Sequence, residues 1–316
     1  MDTRKLGSLD VSVVGLGCNN FGARLDLAAT KAVIDAAIDA GVTFFDTADT
    51  YGATDSERLM GEALKGRRDQ VVLATKFGNV NAQAGITGGA HPEYVRAAIE
   101  GSLKRLQTDH VDLYQLHKPD ASVPIADTLG ALKELIDEGL VREVGCSNFS
   151  LAQLEEAERV AAEQGLPRFV SVQNEYSLLR REAEAEVLPA CRRLGVGFLP
   201  FFPLLSGILT GKYRKGRPLP EGTRVTGNER WESLLTDDTL ALIERLVAFS
   251  EARGYELLDL AFAWLLAEPA VSSVIAGATS AEQVQRNARA AAWRLDEADK
   301  REVDALLAEH GFAPAA

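Results

Sequence analysis

The chain is poor in cysteine and histidine, and neither residue type occurs in a pattern that would hold a metal ion or a disulfide framework. Among 316 residues, three are cysteine and four are histidine. Cys18, Cys146 and Cys191 show neither CxxC spacing nor the dense, even-numbered pattern of disulfide-rich domains. The sequence therefore predicts no metal site and no disulfide, which is typical of a protein from a reducing compartment.

The chain also lacks an excess of positive charge and any long hydrophobic run. It has 34 Lys and Arg against 46 Asp and Glu, a formal net charge of -12 at pH 7. Nucleic-acid phosphates and anionic lipid headgroups repel such a protein, so a small-molecule partner is favoured. The N-terminus shows neither a signal-peptide hydrophobic region nor a membrane span. We expect a cytoplasmic protein that binds neither nucleic acid nor membrane, whose oligomeric state the sequence does not indicate.

What the sequence does contain is a regular alternation of strand-like and helix-like segments. Eight is the number of parallel strands that closes a TIM barrel, and such barrels commonly form one domain of this size. We therefore predict an α/β fold, a (β/α)8 TIM barrel over residues 1–316, with an N-terminal β-hairpin and a C-terminal helix. The strand candidates are residues 11–16, 43–46, 71–76, 111–117, 141–147, 169–173, 197–201 and 271–276.

An open doubly wound sheet is the alternative architecture. Its nucleotide-binding loop would carry G-x-G-x-x-G after the first strand, but Gly15-Leu16-Gly17 is followed here by Cys18-Asn19-Asn20. The incomplete pattern favours the barrel.

Local signals predict several elements around the barrel. Asp26 is a predicted N-cap for a helix over residues 27–40. Residues 214–231 are polar, rich in Gly and Pro, and predicted to form a long loop over the barrel mouth. The segment 296–309 has the spacing of a helix that packs on the barrel. Three pairs fit capping-box spacing: Thr54 with Glu57, Ser150 with Gln153, and Ser280 with Gln283.

Four polar residues lie at or just beyond predicted strand ends: Asp46, Tyr51, Lys76 and His117. Taken singly, each has a structural explanation, such as a turn-forming aspartate or a solvated lysine. Together they form a proton donor beside a site for developing negative charge. Lys76, kept charged by Asp46, would lower the pKa of Tyr51, and His117 would bind a substrate oxygen. This chemistry suits reduction of a carbonyl to an alcohol.

Such a reduction needs a hydride that no side chain supplies, so the sequence predicts a nicotinamide cofactor. Ser147, Asn148 and Gln173 offer donors and acceptors for a carboxamide, and Phe201 could stack on the nicotinamide ring. Gly277 and its neighbours precede a predicted helix start, where free amides favour a phosphate.

Motifs along nearly the whole chain resemble those of the aldo-keto reductases. They are GLGCNNFG, FFDTADTYG, LATKFG, VDLYQLHKPD, VREVGCSNFS, VQNEYSLL, PLLSGILTGKY and GATSAEQVQRNA. The resemblance implies a TIM barrel with an NADP(H) cofactor extended across its mouth. It also implies the catalytic tetrad Asp46, Tyr51, Lys76 and His117, with Tyr51 as the general acid.

The resemblance further implies roles for individual positions along the cofactor. Gly17, Cys18, Asn19 and Asp46 would lie beside the nicotinamide ribose, and Ser147, Asn148 and Gln173 would bind its carboxamide. The pyrophosphate loop would comprise Pro203, Leu204, Ser206, Gly207, Leu209 and Lys212. The adenosine end would be held by Thr279, Gln283 and Asn287, although Gln283 is equally suited to cap a helix.

Two positions depart from the family pattern. Phe201 stands where a tyrosine or tryptophan is frequent, which keeps stacking but removes a polar group. Thr279 stands where a basic residue commonly meets the 2'-phosphate of NADPH, while Arg286 stands where an acidic residue is common. NADP(H) is therefore favoured and NAD(H) possible. Candidate substrate-pocket residues are Asn20, Phe21, Asn79 and Trp231, together with Tyr51 and His117.

Two other functions compete with a reductase. The family also contains channel-associated proteins, so a nucleotide-binding regulatory subunit with slow turnover is one alternative, although the complete tetrad disfavours it. A metal-dependent hydrolase is the other, but only His117 among the histidines lies at a strand's C-terminal end.

Overall fold

The computed structural model describes residues 1–314, and their centre is a cylinder of eight parallel strands. Its two edges meet at Phe198, which pairs with Val271 and accepts a hydrogen bond from Ser272 N at 2.9 Å. The predicted (β/α)8 barrel is confirmed. The strands are β1 (Thr3–Leu6), β2 (Leu9–Ser12), β3 (Val14–Gly17), β4 (Phe44–Asp46), β5 (Val72–Phe77), β6 (Val111–Leu116), β7 (Val141–Ser147), β8 (Ser171–Glu175), β9 (Gly197–Phe201) and β10 (Val274–Gly277).

The predicted hairpin is present as antiparallel β1 and β2, which cover the N-terminal end of the barrel. Leu6 packs with the inward-facing Phe44, Leu113 and Leu199 in one apolar cluster. The predicted first strand, residues 11–16, is wrong because it joins two strands: β2 ends at Ser12, Val13 lies between them, and β3 begins at Val14. The barrel core therefore begins three residues later than the alternation of polar and apolar residues indicated.

Helices surround the barrel. Short 3-10 helices add to them at Tyr51–Thr54, Arg68–Gln70, Ala82–Ala84, Glu182–Glu184 and Leu205–Thr210. No helix within residues 1–314 is long and apolar enough to cross a membrane. The α-helices are α1 (Leu27–Asp39), α2 (Asp55–Ala63), α3 (Pro92–Leu106), α4 (Ile125–Asp137), α5 (Leu151–Gln164), α6 (Val187–Leu194), α7 (Glu229–Glu232), α8 (Asp237–Glu251), α9 (Leu257–Leu266), α10 (Ala281–Ala290) and α11 (Glu297–Glu309).

Two predicted caps are confirmed, one is confirmed in part and one is wrong. Asp26 caps α1, and Ser150 with Gln153 forms a full capping box on α5. Ser280 caps α10, but the Gln283 side chain bonds to Thr279 instead of completing the box. Thr54 makes no cap because its φ of 82° is left-handed, which turns its side chain away from the helix start.

The loop and the C-terminal helix are found where they were predicted. Val303 and Leu307 of α11 are fully buried, α11 packs on α8, and Trp264 Nε1 of α9 donates to Asp304 Oδ1 at 3.0 Å. The loop after Arg214 lies over the barrel mouth and continues to Asn228, where α7 replaces its predicted end.

Candidate active site

A cavity of about 740 Å³ opens at the C-terminal ends of the barrel strands and continues as one cleft to α10. This is the end at which TIM barrels build their active sites. The cleft brings together most of the predicted site residues. Those lining it are Gly17, Asn19, Asn20, Asp46, Tyr51, His117, Ser147, Asn148, Gln173, Phe201, Pro203, Leu204, Ser206, Gly207, Lys212, Gly277, Thr279, Gln283, Arg286 and Asn287.

A buried ion pair forms the floor of the cleft. Lys76 Nζ lies 2.6 Å from Asp46 Oδ2, donates to Thr47 O at 2.8 Å and lies 3.4 Å from Tyr51 Oη. Lys76 is fully buried and Asp46 is 3% exposed. Burial opposes the charged form of Lys76, but Asp46 and Tyr51 outweigh it and hold the pKa of Lys76 above its ordinary value. The ammonium group therefore persists beside the phenol.

Two glutamines orient the carboxylate of this pair. Gln115 Nε2 and Gln173 Nε2 donate to Asp46 Oδ1 at 3.0 and 3.1 Å, so both carboxylate oxygens of Asp46 have partners. Gln115 was missed in the sequence analysis. The sequence held a signal for it, because side chains alternate along a strand and Gln115 in VDLYQLH falls on the face that points into the barrel rather than towards the helices.

Tyr51 sits on a tight turn beyond β4. Gly52 has a φ of 57°, and a Cβ there would approach Phe21 O to 2.6 Å, so the close approach requires glycine. The expected effect of Lys76, which lowers the pKa of Tyr51, is present but is outweighed. Burial is the largest influence and raises the pKa of Tyr51 above 10, while Lys76 only opposes this rise. The phenol therefore keeps its proton and is available as an acid.

His117 is neutral at physiological pH. Burial, followed by the charges of Lys76 and Lys118, lowers its pKa from 6.5 to about 3. Asn79 Nδ2 lies 3.1 Å from His117 Nδ1. Because an amide nitrogen can only donate, Nδ1 accepts, and the proton of the neutral ring is on Nε2. The imidazole packs edge-on to Tyr51 with ring centroids 5.9 Å apart, which leaves His117 with a hydrogen-bond donor beside the phenol.

Ser147 and Asn148 at the end of β7 are already bonded within the protein. Ser147 Oγ donates to Gln173 O at 2.7 Å, and Asn148 Nδ2 donates to His117 O at 2.9 Å. Asn148 has a left-handed φ of 61°. Ser147 Oγ also accepts from Asn148 Nδ2 at 3.0 Å. Both side chains line the cleft, and Asn148 Oδ1 can accept from the NH₂ group of an amide.

The loop after β9 carries an unpaired cation. Gly207 has a φ of 99°, and a Cβ there would lie 3.0 Å from Lys212 Nζ. Among residues 1–314, neither Lys212 nor Arg224 of the overhanging loop forms a salt bridge, although both line the cleft. Arg224 instead donates to Asn19 Oδ1 at 3.3 Å. Two uncompensated cations in an acidic protein suit the charges of a dinucleotide pyrophosphate.

At the far end, α10 presents polar groups with partners of their own. Gln283 Oε1 accepts from Thr279 N at 2.8 Å, and Arg286 pairs with Glu256 at the start of α9. The side chains of Arg286 and Glu256 are 39% and 63% exposed. This end of the cleft is consequently open to solvent.

Six predicted site residues do not line the cleft, and one of them is Lys76, which is fully buried. Cys18, Phe21 and Leu209 are fully buried in the core, which fits the reading of Cys18 as a small apolar group. Asn79 contacts His117 from behind, and Trp231 is 7% exposed and packs against the cleft residue Phe202. Side-chain direction at these positions depends on how the loops fold, which periodicity does not reveal. Cleft residues missed by the prediction include Arg24, Phe202 and Arg224.

No group of three or more His, Cys, Asp and Glu within residues 1–314 is arranged to hold a metal ion. The three cysteines are free and buried.

The chain is similar to known proteins over most of its length. A family model described as the Aldo/keto reductase family matches residues 13–308. A probable aldo-keto reductase 1 of Glycine max is 36% identical over 309 residues, which is 95% of this chain and 87% of that protein. A probable voltage-gated potassium channel subunit beta of Oryza sativa subsp. japonica is 38% identical over 301 residues, covering 92% of this chain and 91% of that protein.

A solved structure is similar over nearly the whole chain. Aldo-keto reductase AKR11C1 from Bacillus halodurans, in its holo form, superimposes with a TM-score of 0.79 and 33% identity. The match covers 97% of this chain and 96% of that one.

Proposed function

Because the chain belongs to the aldo/keto reductase family, we propose that it is an NAD(P)H-dependent oxidoreductase that reduces aldehydes or ketones to alcohols. The observation that carries this proposal is the protonated Tyr51 beside the buried Lys76 ammonium in the cleft. A phenol beside a fixed positive charge is suited to give up its proton at the moment a carbonyl oxygen gains electrons.

Each member of the tetrad has its own role in the proposed reaction. The nicotinamide supplies a hydride to the carbonyl carbon when it is bound. Tyr51 gives its proton to the carbonyl oxygen, so the substrate gains the two hydrogens of an alcohol. His117 Nε2 donates a hydrogen bond to the same oxygen, and Lys76, held by Asp46, stabilises the phenolate that Tyr51 becomes.

The residues along the cleft fit the cofactor. Ser147, Asn148 and Gln173 would hold the carboxamide, Phe201 would pack on the nicotinamide ring, and Lys212 would pair with the pyrophosphate. We favour NADP(H) because Arg286 lines the proposed adenosine end, and its one carboxylate partner among residues 1–314, Glu256, is exposed. A 2'-phosphate competes well with such a partner for the guanidinium. NAD(H) is the alternative, with Arg286 left on Glu256.

Tyr51→Phe tests this function, since it keeps the ring and removes the proton donor. NADPH absorbance is followed with a reactive aromatic aldehyde. We expect oxidation by the native protein and a loss of about 10²-fold or more in the variant, the contribution of a positioned acid. Binding of NADPH, measured by fluorescence, should be nearly unchanged. Oxidation that survives the substitution would contradict the role of Tyr51.

A regulatory subunit is the second candidate, because the relative described as a potassium channel subunit beta is 38% identical to this chain. That function predicts tight retention of the nucleotide with very slow turnover. Single-turnover and steady-state rates of the same protein separate the two candidates. A steady-state rate close to the single-turnover rate supports the reductase, and cofactor that remains bound after one turnover supports the regulatory subunit.

A further inference from the structure

A second group of buried charges lies behind the tetrad, on the side of the Tyr51 turn that faces α2 and α3. Asp49, two residues before Tyr51, is 2% exposed, and Glu57 of α2 is fully buried. Within residues 1–314, the one salt bridge to this pair joins Arg105 of α3 to Glu57. Two buried carboxylates therefore have one bonded arginine, whereas Asp46 and Lys76 balance each other at the floor of the cleft.

The hydrogen bonds show that Arg105 pairs with the carboxylate of Glu57. Glu57 Oε2 accepts from Arg105 Nε at 2.7 Å, and Glu57 Oε1 accepts from Thr75 Oγ1 at 2.6 Å. Asp49 Oδ1 is buried without a hydrogen-bond partner among residues 1–314, and Asp49 Oδ2 accepts a long hydrogen bond from the hydroxyl of Tyr94 at 3.4 Å. Asp49 is thus the carboxyl group whose ionised form is poorly stabilised.

The other groups around Asp49 do not supply the missing charge. Tyr94 comes from α3, and the fully buried Tyr114 from β6 faces the same carboxylates. β5 contributes a backbone contact, in which Asp49 N donates to Lys76 O at 3.2 Å. Burial and the charge of Glu57 raise the pKa of Asp49 from 3.8 to about 7, against the weaker opposing effects of Arg105, Tyr94 and the Thr50 amide.

Asp49 is mechanically linked to the phenol. Tyr51 N donates to Ala48 O at 3.2 Å, so Asp49 lies inside the turn that sets the position of Tyr51. The Tyr51 hydroxyl lies 3.4 Å from Lys76 Nζ, at the outer limit of a hydrogen bond, so a small displacement breaks this contact.

We propose that Asp49 is a positioning residue for Tyr51, whose neutral form keeps the turn closed and whose ionisation moves Tyr51 away from Lys76 and His117. The inference rests on the reductase function proposed above. Carbonyl reduction should fall as Asp49 loses its proton. Tyr51, Lys76 and His117 do not compete for this assignment near neutral pH, because the pKa values of Tyr51 and Lys76 are raised and that of His117 is lowered to about 3.

The test is the pH profile of kcat/KM for the native holoenzyme and for Asp49→Asn, which is nearly isosteric and cannot ionise. We expect the native rate to fall about threefold or more above an inflection near pH 7, and the Asn variant to lose that inflection. Asp10→Asn is the matched control, since Asp10 is exposed on the hairpin at the opposite end of the barrel. The same inflection in native protein and Asp49→Asn would overturn the proposal.

Tyr94→Phe provides a second, conservative variant in case Asp49→Asn does not fold. Its hydroxyl favours the ionised form of Asp49, so its removal should move the inflection to higher pH. An inflection that stays in place in Tyr94→Phe contradicts the proposal, because the group responsible would not be in contact with Tyr94.

Thermal unfolding needs no enzymatic turnover, so it tests the role of Asp49 independently of the reductase function. The pKa of Asp49 is raised on folding, so its stabilising contribution is complete below pH 3.8 and lost as the pH rises through about 7. As the pH rises over this range, the midpoint of thermal unfolding of the native protein should therefore fall relative to that of Asp49→Asn. If no aldehyde is reduced, the reductase function fails, and equal pH dependence of the two midpoints would then overturn the role of Asp49.

Discussion

The two ends of the cleft hold their charged groups in opposite ways. At the floor, Lys76 is fully buried and bonds to Asp46, whose other oxygen is bonded to Gln115 and Gln173. At the α10 end, Arg286 and Glu256 form one exposed ion pair. The floor is fixed by the fold before any ligand arrives, whereas the α10 end can exchange its partner for a ligand. On the function proposed above, chemistry would depend on the buried charges and cofactor preference on the exposed ones.

The largest expected effect is on the floor, where Lys76→Met would leave the buried carboxylate of Asp46 uncompensated. We expect a loss of about 3–5 kcal/mol in the free energy of unfolding, measured by urea denaturation, because an unpaired buried charge is costly. Lys212→Met is the matched control, since Lys212 is exposed and forms no salt bridge with residues 1–314; its effect should stay within about 0.5 kcal/mol. Similar losses in the two variants would contradict the contrast between the ends.

A second expected effect is a loss of stability in acid caused by His117. Its pKa is about 3 in the folded protein and 6.5 in the unfolded chain, so only the unfolded chain takes up the proton between these values. The contribution is complete above pH 6.5 and disappears as the pH falls towards about 3. We expect His117→Gln to reduce the acid-induced loss by about 3 kcal/mol, after allowance for partial exposure of the ring.

Denaturation at several pH values checks this prediction, with His91→Gln as the control because His91 is exposed at the start of α3. Parallel curves for the native protein and His117→Gln would show that His117 is not buried in its neutral form.

The sequence predicted the floor better than its surroundings for a structural reason. Asp46, Lys76 and His117 lie at strand ends, and parallel strands of a barrel bring all such positions to one mouth. Phe21 and Trp231 were predicted to line the pocket but lie on loops, whose folding decides whether a side chain faces the cleft or the core. Thr54 failed as a cap because a left-handed backbone cannot be inferred for a threonine from spacing alone.

The roles of two buried polar groups were missed for another reason. Gln115 and Glu57 lie within a strand and a helix, where a single polar residue resembles a solvent-facing position. Their roles depend on partners far along the chain: Gln115 meets Asp46, and Glu57 meets Arg105. Such pairs are visible only once the strands and helices are packed together. The long loop was located correctly, but its contact between Arg224 and Asn19 was not foreseen.

The smallest expected effect is at the α10 end, where Arg286→Met would remove an exposed ion pair and cost about 0–1 kcal/mol of stability. Its effect on binding should be selective: about tenfold weaker affinity for NADPH, equal to about 1.4 kcal/mol, with little change for NADH. Fluorescence titration with both cofactors measures this difference. Glu256→Gln is the complementary variant and should strengthen NADPH binding by freeing the guanidinium of Arg286. Equal losses for NADPH and NADH in Arg286→Met would place Arg286 against a part common to both cofactors, and the α10 end would then not decide between them.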